Sequence, residues 1–383
     1  MSSPAAHNDG RIAGSATAQG TLRYAARFQG RSAPGHFREI PGGQVLSSIG
    51  IGTYLGEPDP RTDNGYAQAV VAAVEGGINV IDSAINYRFQ RSERSIGKAL
   101  REVTAKGYGR DELVLCTKAG FLTPDGEMPP DPNEYFAREF LDRGVFQPEE
   151  IAAGCHCMAP KYLADQMERS LRNFGVEAID VFYLHNPESQ LADISREAFL
   201  QRLRDAFAML EKQIKAGSLR YYGMATWSAF RLPEGSRDYI SLAEVAELAR
   251  EQAGDEHHFR FIQLPFSLAM PEAYALVNQA AANQGSHRQK QSLLATAAHL
   301  GMAVVGSATL QQGQLTQGLP GFVGSILGLN SDAENAIQFS RSAPGMTTSL
   351  VGMGHKERVA ANLKPALVAP TPIEEWNKLF TQR

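Results

Sequence analysis

Eight short apolar runs, each separated from the next by a stretch with helical spacing, constrain this chain more than any other feature. The runs are SSIGIGTY (47–54), INVID (78–82), LVLCTKAG (113–120), AIDVFYLHNP (178–187), LRYYGMAT (219–226), FRFIQLPFS (259–267), MAVVGSAT (302–309) and TTSLVGM (347–353). Their β-branched and aromatic content reads as buried strand. Between them apolar residues recur every three to four positions. Tyr66, Ala69, Val70, Ala73 and Val74 do so in 64–75, Ile96, Leu100 and Val103 in 92–103, and Leu203, Phe207, Leu210 and Ile214 in 198–215. Further helices are expected over 161–174, 242–251, 292–300, 333–340, 356–363 and 373–380. Alternation of this kind makes an α/β protein with parallel strands, and eight units close into a (β/α)8 TIM barrel. A doubly wound open sheet is the competing architecture. It usually carries G-x-G-x-x-G after its first strand, whereas Gly50-Ile51-Gly52 here runs on into Tyr54-Leu55.

One barrel domain is expected over residues 36–383, opened by an N-terminal hairpin (FREI, turn Pro41-Gly42-Gly43, QVLSS) and preceded by a partly flexible arm, 1–35. Leu22, Tyr24 and Phe28 give part of that arm something to dock with. The one long interruption, the loop insertion 121–158 after the third strand, is rich in Pro, Asp and aromatics; such a loop in a compact domain is usually a lid or a binding loop. Its Tyr135, Phe136, Phe140 and Phe146 are expected to bury a substrate's apolar face, with anchoring to the outer helices as the alternative. Thirty-seven basic against 41 acidic residues, a net charge of −4, leave no basic footprint for nucleic acid. Charged residues interrupt every apolar run, so no membrane span is expected. The arm lacks the apolar core of a secretory signal, and three cysteines, with Cys116 inside a strand, suit a reducing compartment. A cytoplasmic location follows, the alternative being that the Arg-containing arm is an organellar transit peptide.

In a barrel, chemistry gathers where strands end. Asp82 closes the second strand with Tyr87 five residues on; Lys118 lies in the third and His185 in the fourth. A phenol, with a pKa near ~10, exchanges protons reluctantly at neutral pH unless a cation stabilises its anion. Lys118 supplies that cation, Asp82 its counter-charge, and His185 a hydrogen bond to a substrate oxygen or to the phenol. The group is an acid/base device aimed at a carbonyl or alcohol oxygen. A metal-dependent hydrolase built on Asp82 and His185 is disfavoured because Lys118 would repel the cation. Cys155-His156-Cys157 has no second pair at zinc spacing and reads as a chance loop sequence. Tyr54, Phe121, Trp227 and Phe266 lie just past strand ends, as pocket walls or as core.

The order G-x-G-T-Y, I-D-S-A-x-x-Y, x-T-K-x-G, L-H-x-P and a final G-M-G-x-x-x-R-V-x-x-N-L resembles the aldo-keto reductase superfamily from about residue 37 to residue 363. The resemblance implies an NADP-dependent oxidoreductase (NAD being possible) that reduces aldehydes, ketones or sugars, or oxidises the alcohols, with a small-molecule substrate. It places Asp82, Tyr87, Lys118 and His185 in the catalytic tetrad, and Gly52, Thr53, Asp82, Thr226, Gln263, Gly306, Ser307, Gly352, Arg358 and Asn362 along the cofactor. Arg358 and Asn362 would grip the adenosine 2′-phosphate and the adenine, since a guanidinium meets a phosphate with two charge-assisted hydrogen bonds. Some positions depart from the family. Ala225-Thr226 stands where Ser-Asn is usual, Gly306 where an aromatic stacks on the nicotinamide, Gly352-Met353 where a basic residue and serine accompany the Arg, and Ala361 where an acid stands. The altered nicotinamide pocket motivates a second reading, a cofactor-binding regulatory or sensor subunit with little turnover.

Overall fold

The computed structural model describes residues 10–280 and 290–381. The first nine residues of the expected arm lie outside these. Eight strands, β1 (Ile49–Gly52), β2 (Val80–Asp82), β3 (Val114–Ala119), β4 (Ile179–His185), β5 (Leu219–Ala225), β6 (Phe259–Pro265), β7 (Ala303–Ser307) and β8 (Met346–Gly352), pair in parallel and close into a barrel. A helix follows each: α1 (Pro60–Gly76), α2 (Arg91–Ala105), α3 (Pro160–Phe174), α4 (Arg196–Ala216), α5 (Leu242–Ala253), α6 (Leu293–His299), α7 (Asp332–Ser342) and α8 (Lys356–Asn362). Helix α1 starts four residues earlier than its apolar pattern. Asp59 accepts a hydrogen bond from Thr62 N at 2.8 Å and Pro60 sits at the first helical position, so capping sets this boundary.

The two-residue period of the strands sorts the core into two. Val80, Val114, Cys116, Val181, Tyr183, Phe261, Ala303, Val305 and Leu350 point into the barrel, while their neighbours Ile81, Leu115, Phe182, Leu184, Ile262, Leu264 and Val304 pack against the helices. Asp82, Lys118 and His185 each stand two residues beyond an inward-facing residue, so the pleat aims all three into the mouth.

The lower end is closed by the expected hairpin, Phe37–Glu39 paired antiparallel with Val45–Ser47, which delivers Ile40 and Leu46 to the inner core. Gly42 and Gly43 turn the chain at φ +114° and +83°, a region open to glycine. In the arm, helix Ala18–Ala26 and the turn after it dock through Tyr24 and Phe28, both buried, while Leu22 is exposed. The Tyr24 hydroxyl lies 2.6 Å from Val74 O, and Arg23 and Arg27 pair with the buried Glu112 at 2.9 and 3.0 Å.

The insertion does not use its aromatics as expected. Phe140 and Phe146 are buried, stack on each other at 5.6 Å and meet Tyr162 of α3 edge-on, and Phe136 stacks on Phe140. They anchor the loop to the outer helix layer, which satisfies their apolar area more completely than a solvent-filled mouth.

Candidate active site

Three strand ends bring one ion pair together. Lys118 Nζ, fully buried, donates to Asp82 Oδ1 at 2.5 Å and to Ser83 O at 2.7 Å, and it lies 3.4 Å from the Tyr87 hydroxyl. Gln263 of β6 donates from Nε2 to the other carboxylate oxygen, Asp82 Oδ2, at 2.8 Å. Asp82 is thus fixed from two sides of the barrel, and Gln263 has a role in the protein itself that its motif did not signal. The His185 ring meets Tyr87 edge-on at 5.9 Å, and Tyr54 meets it edge-on at 5.0 Å.

Tyr87 leaves β2 on a loop whose next three residues, Arg88, Phe89 and Gln90, all have positive φ (47°, 55° and 69°). Each left-handed residue costs on the order of 1–2 kcal/mol. Local contacts offset this: Arg88 donates to Asp63 at 2.5 Å and lies over the Tyr66 ring, Phe89 O accepts from Gly126 N, and Gln90 donates to Pro124 O. The first turn of α1 and the start of the insertion therefore hold the phenol in place.

Burial raises the Tyr87 pKa, and the Lys118 ammonium acts against that rise. Burial also works against the charge on Lys118, yet Asp82 and Tyr87 together hold its pKa above the ordinary lysine value. His185 is driven well below the usual histidine value by burial, then by Lys118 and His156, and is neutral near pH 7. The site therefore holds a neutral phenol, a charged ammonium and a neutral imidazole.

A cleft of ≈ 710 Å³ opens above the group, lined by Asp82, Tyr87 and, among the expected cofactor residues, Gly52, Thr53, Gln263, Ser307, Gly352, Arg358 and Asn362. Arg358 is exposed, and its guanidinium makes no hydrogen bond or ion pair among the described residues. Thr226 is buried beside the mouth, and its hydroxyl oxygen has no partner among the described residues. Gly306 is not brought to the cleft. A Cβ there would meet Met346 Sδ at 3.1 Å and Ser340 Oγ at 3.3 Å, so the position faces the helix layer. The pleat makes Ser307 the seventh-strand residue that faces the mouth, and no aromatic stands there. Sequence reasoning missed the following loop, whose Thr309, Leu310, Gln311, Gln312 and Thr316 line the cleft with left-handed backbone at Ala308, Gln311 and Gln312. Its polar run QQGQ was the available signal. Of the aromatic candidates, Tyr54 lines the cleft and Trp227 is half-exposed, with its backbone N–H donating to Glu188 at 2.7 Å. Phe266 is core, stacked on Phe339. Phe121 packs between the rings of His156 and His185.

The sequence profile of the Aldo/keto reductase family matches residues 48–319. A Schizosaccharomyces pombe protein named as a candidate voltage-gated potassium channel subunit beta is 24% identical over 242 residues, which are 62% of this chain and 59% of that protein. The chain thus spans less than two thirds of that relative's length. Among solved structures, an aldo-keto reductase from Bacillus halodurans in its holo form is 18% identical (TM-score 0.59), covering 90% of this chain and 95% of that one. A Klebsiella pneumoniae aldo/keto reductase in complex with NADP and acetate is 17% identical (TM-score 0.60; 90% and 94% covered). The glycerol dehydrogenase of Gluconobacter oxydans is 18% identical (TM-score 0.62; 91% and 95% covered). With the family profile covering most of its length, this chain belongs to the aldo/keto reductase family.

Proposed function

We propose that the chain is an NADP-dependent oxidoreductase that interconverts carbonyl compounds (aldehydes, ketones or sugars) and their alcohols. The observation that carries this reading is the buried Lys118 ammonium, 2.5 Å from Asp82 and 3.4 Å from the Tyr87 hydroxyl at the floor of the cleft. The residues present suit a nicotinamide dinucleotide. Thr226 offers a buried, unpartnered hydroxyl to an amide, and Arg358 offers an unpaired guanidinium to a 2′-phosphate. A solved relative from Klebsiella pneumoniae was crystallised with NADP, which supports the choice of nucleotide.

When bound, the nicotinamide supplies the hydride. The rest is work for this chain. Tyr87, a phenol protonated at neutral pH whose pKa burial raises further, gives its proton to the carbonyl oxygen. Lys118 stabilises the phenolate left behind, and Asp82, itself braced by Gln263, keeps Lys118 charged and directed at the phenol. Neutral His185 orients the carbonyl by a hydrogen bond. Tyr54 and Phe121 pack against the Tyr87 and His185 rings and keep water from them. The test is NADPH oxidation across a panel of aldehydes, ketones and sugars. Turnover with at least one class is expected, and tight NADPH binding with no turnover on any of them would refute it.

A second reading, a cofactor-binding regulatory subunit, is favoured by one observation: the cleft has no seventh-strand aromatic, with Ser307 at the position that faces the mouth. Its expected signature is that same binding without turnover, together with a stable protein partner in a pull-down.

A further inference from the structure

We infer that His156, contributed by the insertion after β3, is a positioning residue that fixes the backbone of His185 from outside the barrel, acting as a neutral imidazole protonated on Nε2. The inference rests on the proposed reaction for its functional consequence and on geometry alone for the relay. His156 is fully buried. Its Nε2 lies 2.7 Å from the carbonyl oxygen of His185, and its Nδ1 lies 2.8 Å from Gln190 Nε2.

The direction of each bond follows from what the partners can do. The Arg202 guanidinium of α4 has only donors, and one of them bonds Gln190 Oε1, which fixes which end of that amide is the oxygen. Arg202 is itself held by the carbonyls of Glu149 and Glu150 at 2.8 and 3.0 Å. The NH2 of Gln190 must then face His156, where it donates to Nδ1 and to His156 O at 3.0 Å. An Nδ1 that accepts leaves the ring proton on Nε2, and a proton there donates to His185 O. Burial and Arg202 both oppose a second proton on this ring, in line with a His156 pKa lowered to about 4.

The surroundings are shaped around this contact. Gly120, the residue after β3, has no room for a side chain: a Cβ would fall 2.5 Å from His156 Nε2 and 2.7 Å from His185 O. Phe121 packs edge-on between the two rings, at 5.0 Å from His156 and 5.2 Å from His185. Directly after His185, Asn186 takes φ +46° and its N–H bonds Ala225 O at 2.6 Å, so the chain turns sharply at the last ladder position. At that turn His156 supplies a donor to the His185 carbonyl.

The test uses His156→Phe, which keeps a ring for Phe121 but has no donor, and His156→Gln, whose amide nitrogen can donate from the position of Nε2. His156→Phe should lower kcat for carbonyl reduction about tenfold, the size of one lost hydrogen bond, with the KM for NADPH unchanged; His156→Gln should restore most of it. Equal loss in both variants, or a rise in the KM for NADPH matching the fall in kcat, would overturn the positioning role. Histidine-selective ¹⁵N NMR on the wild-type protein reads the relay without any turnover. It should show His156 as the Nε2–H tautomer, unprotonated above about pH 5. An Nδ1–H tautomer would overturn the relay. Wild-type protein lacking turnover but showing the Nε2–H tautomer would count against the proposed reaction and leave the relay standing.

Discussion

Replacing Lys118 by Met removes the cation of a fully buried pair and keeps a side chain of similar length. Asp82 is then left in the barrel with Gln263 as its only side-chain donor among the described residues. Breaking one partner of such a pair costs about 3–5 kcal/mol, because the remaining charge has neither solvent nor counter-ion. At about 2.1 cal/mol/K per residue, unfolding a chain of 383 residues carries an entropy of about 0.8 kcal/mol/K, so the melting temperature should fall by roughly 4–6 °C. The loss should shrink on acidification. Burial already raises the Asp82 pKa, and without Lys118 it rises further. A carboxyl with a raised folded-state pKa is favoured by low pH and penalised as pH rises through that value, so the variant's deficit is larger at pH 7 than near pH 5. The double variant Asp82→Asn/Lys118→Met should recover most of the loss, since no charge is then buried. The assay is calorimetry on wild type, both single variants and the double at two pH values. A Lys118→Met deficit below about 1 kcal/mol, or one independent of pH, would refute the buried-pair argument.

Three further outcomes are expected. Carbonyl reduction requires the protonated phenol, so kcat should be flat through neutral pH and fall only as Tyr87 ionises, above its ordinary value of about 10; because His185 is held neutral, a break near ~6.5 in the kcat profile would contradict the account. Arg358→Ala should raise the KM for NADPH about 10- to 100-fold, the worth of about 1.5–3 kcal/mol of hydrogen bonding to a charged group, and leave that for NADH nearly unchanged; parallel changes for both nucleotides would place the 2′-phosphate elsewhere. Phe140→Ala should cost about 3–5 kcal/mol in stability while the relative kcat/KM values for different carbonyls stay the same, and altered substrate preference would return the insertion's aromatics to the pocket.

The barrel was legible because its signal is periodic and repeated: eight apolar runs alternating with amphipathic stretches leave little choice of topology, and helix ends departed from expectation mainly where caps rather than apolar residues set them, as at Asp59. Asp82, Lys118 and His185 were legible for the same reason, since each stands at or next to the end of a strand run. What escaped was what depends on parity or on distant partners. Gly306 was assigned to the mouth by motif alignment, but it shares its face with Val304 and looks at Met346. The aromatics of the insertion read as a pocket wall, with anchoring as the alternative, because Tyr162, the partner that decides for anchoring, lies on a different element. Gln263 bonds Asp82 across 181 positions of sequence, and His156 reaches His185 across 29. No local pattern encodes either contact. The left-handed turn after Tyr87 is carried by Arg, Phe and Gln, none of which signals positive φ.

Transfer of deuterium from the reactive C4 position of labelled NADPH to a carbonyl substrate, compared between wild type and Tyr87→Phe, tests the central claim most directly. Stoichiometric label in the alcohol made by wild type, with Tyr87→Phe slower by about 100- to 10,000-fold at unchanged NADPH affinity, is the result expected of a tyrosine general acid. Label transfer at an undiminished rate in Tyr87→Phe, or an alcohol product without label, would contradict it.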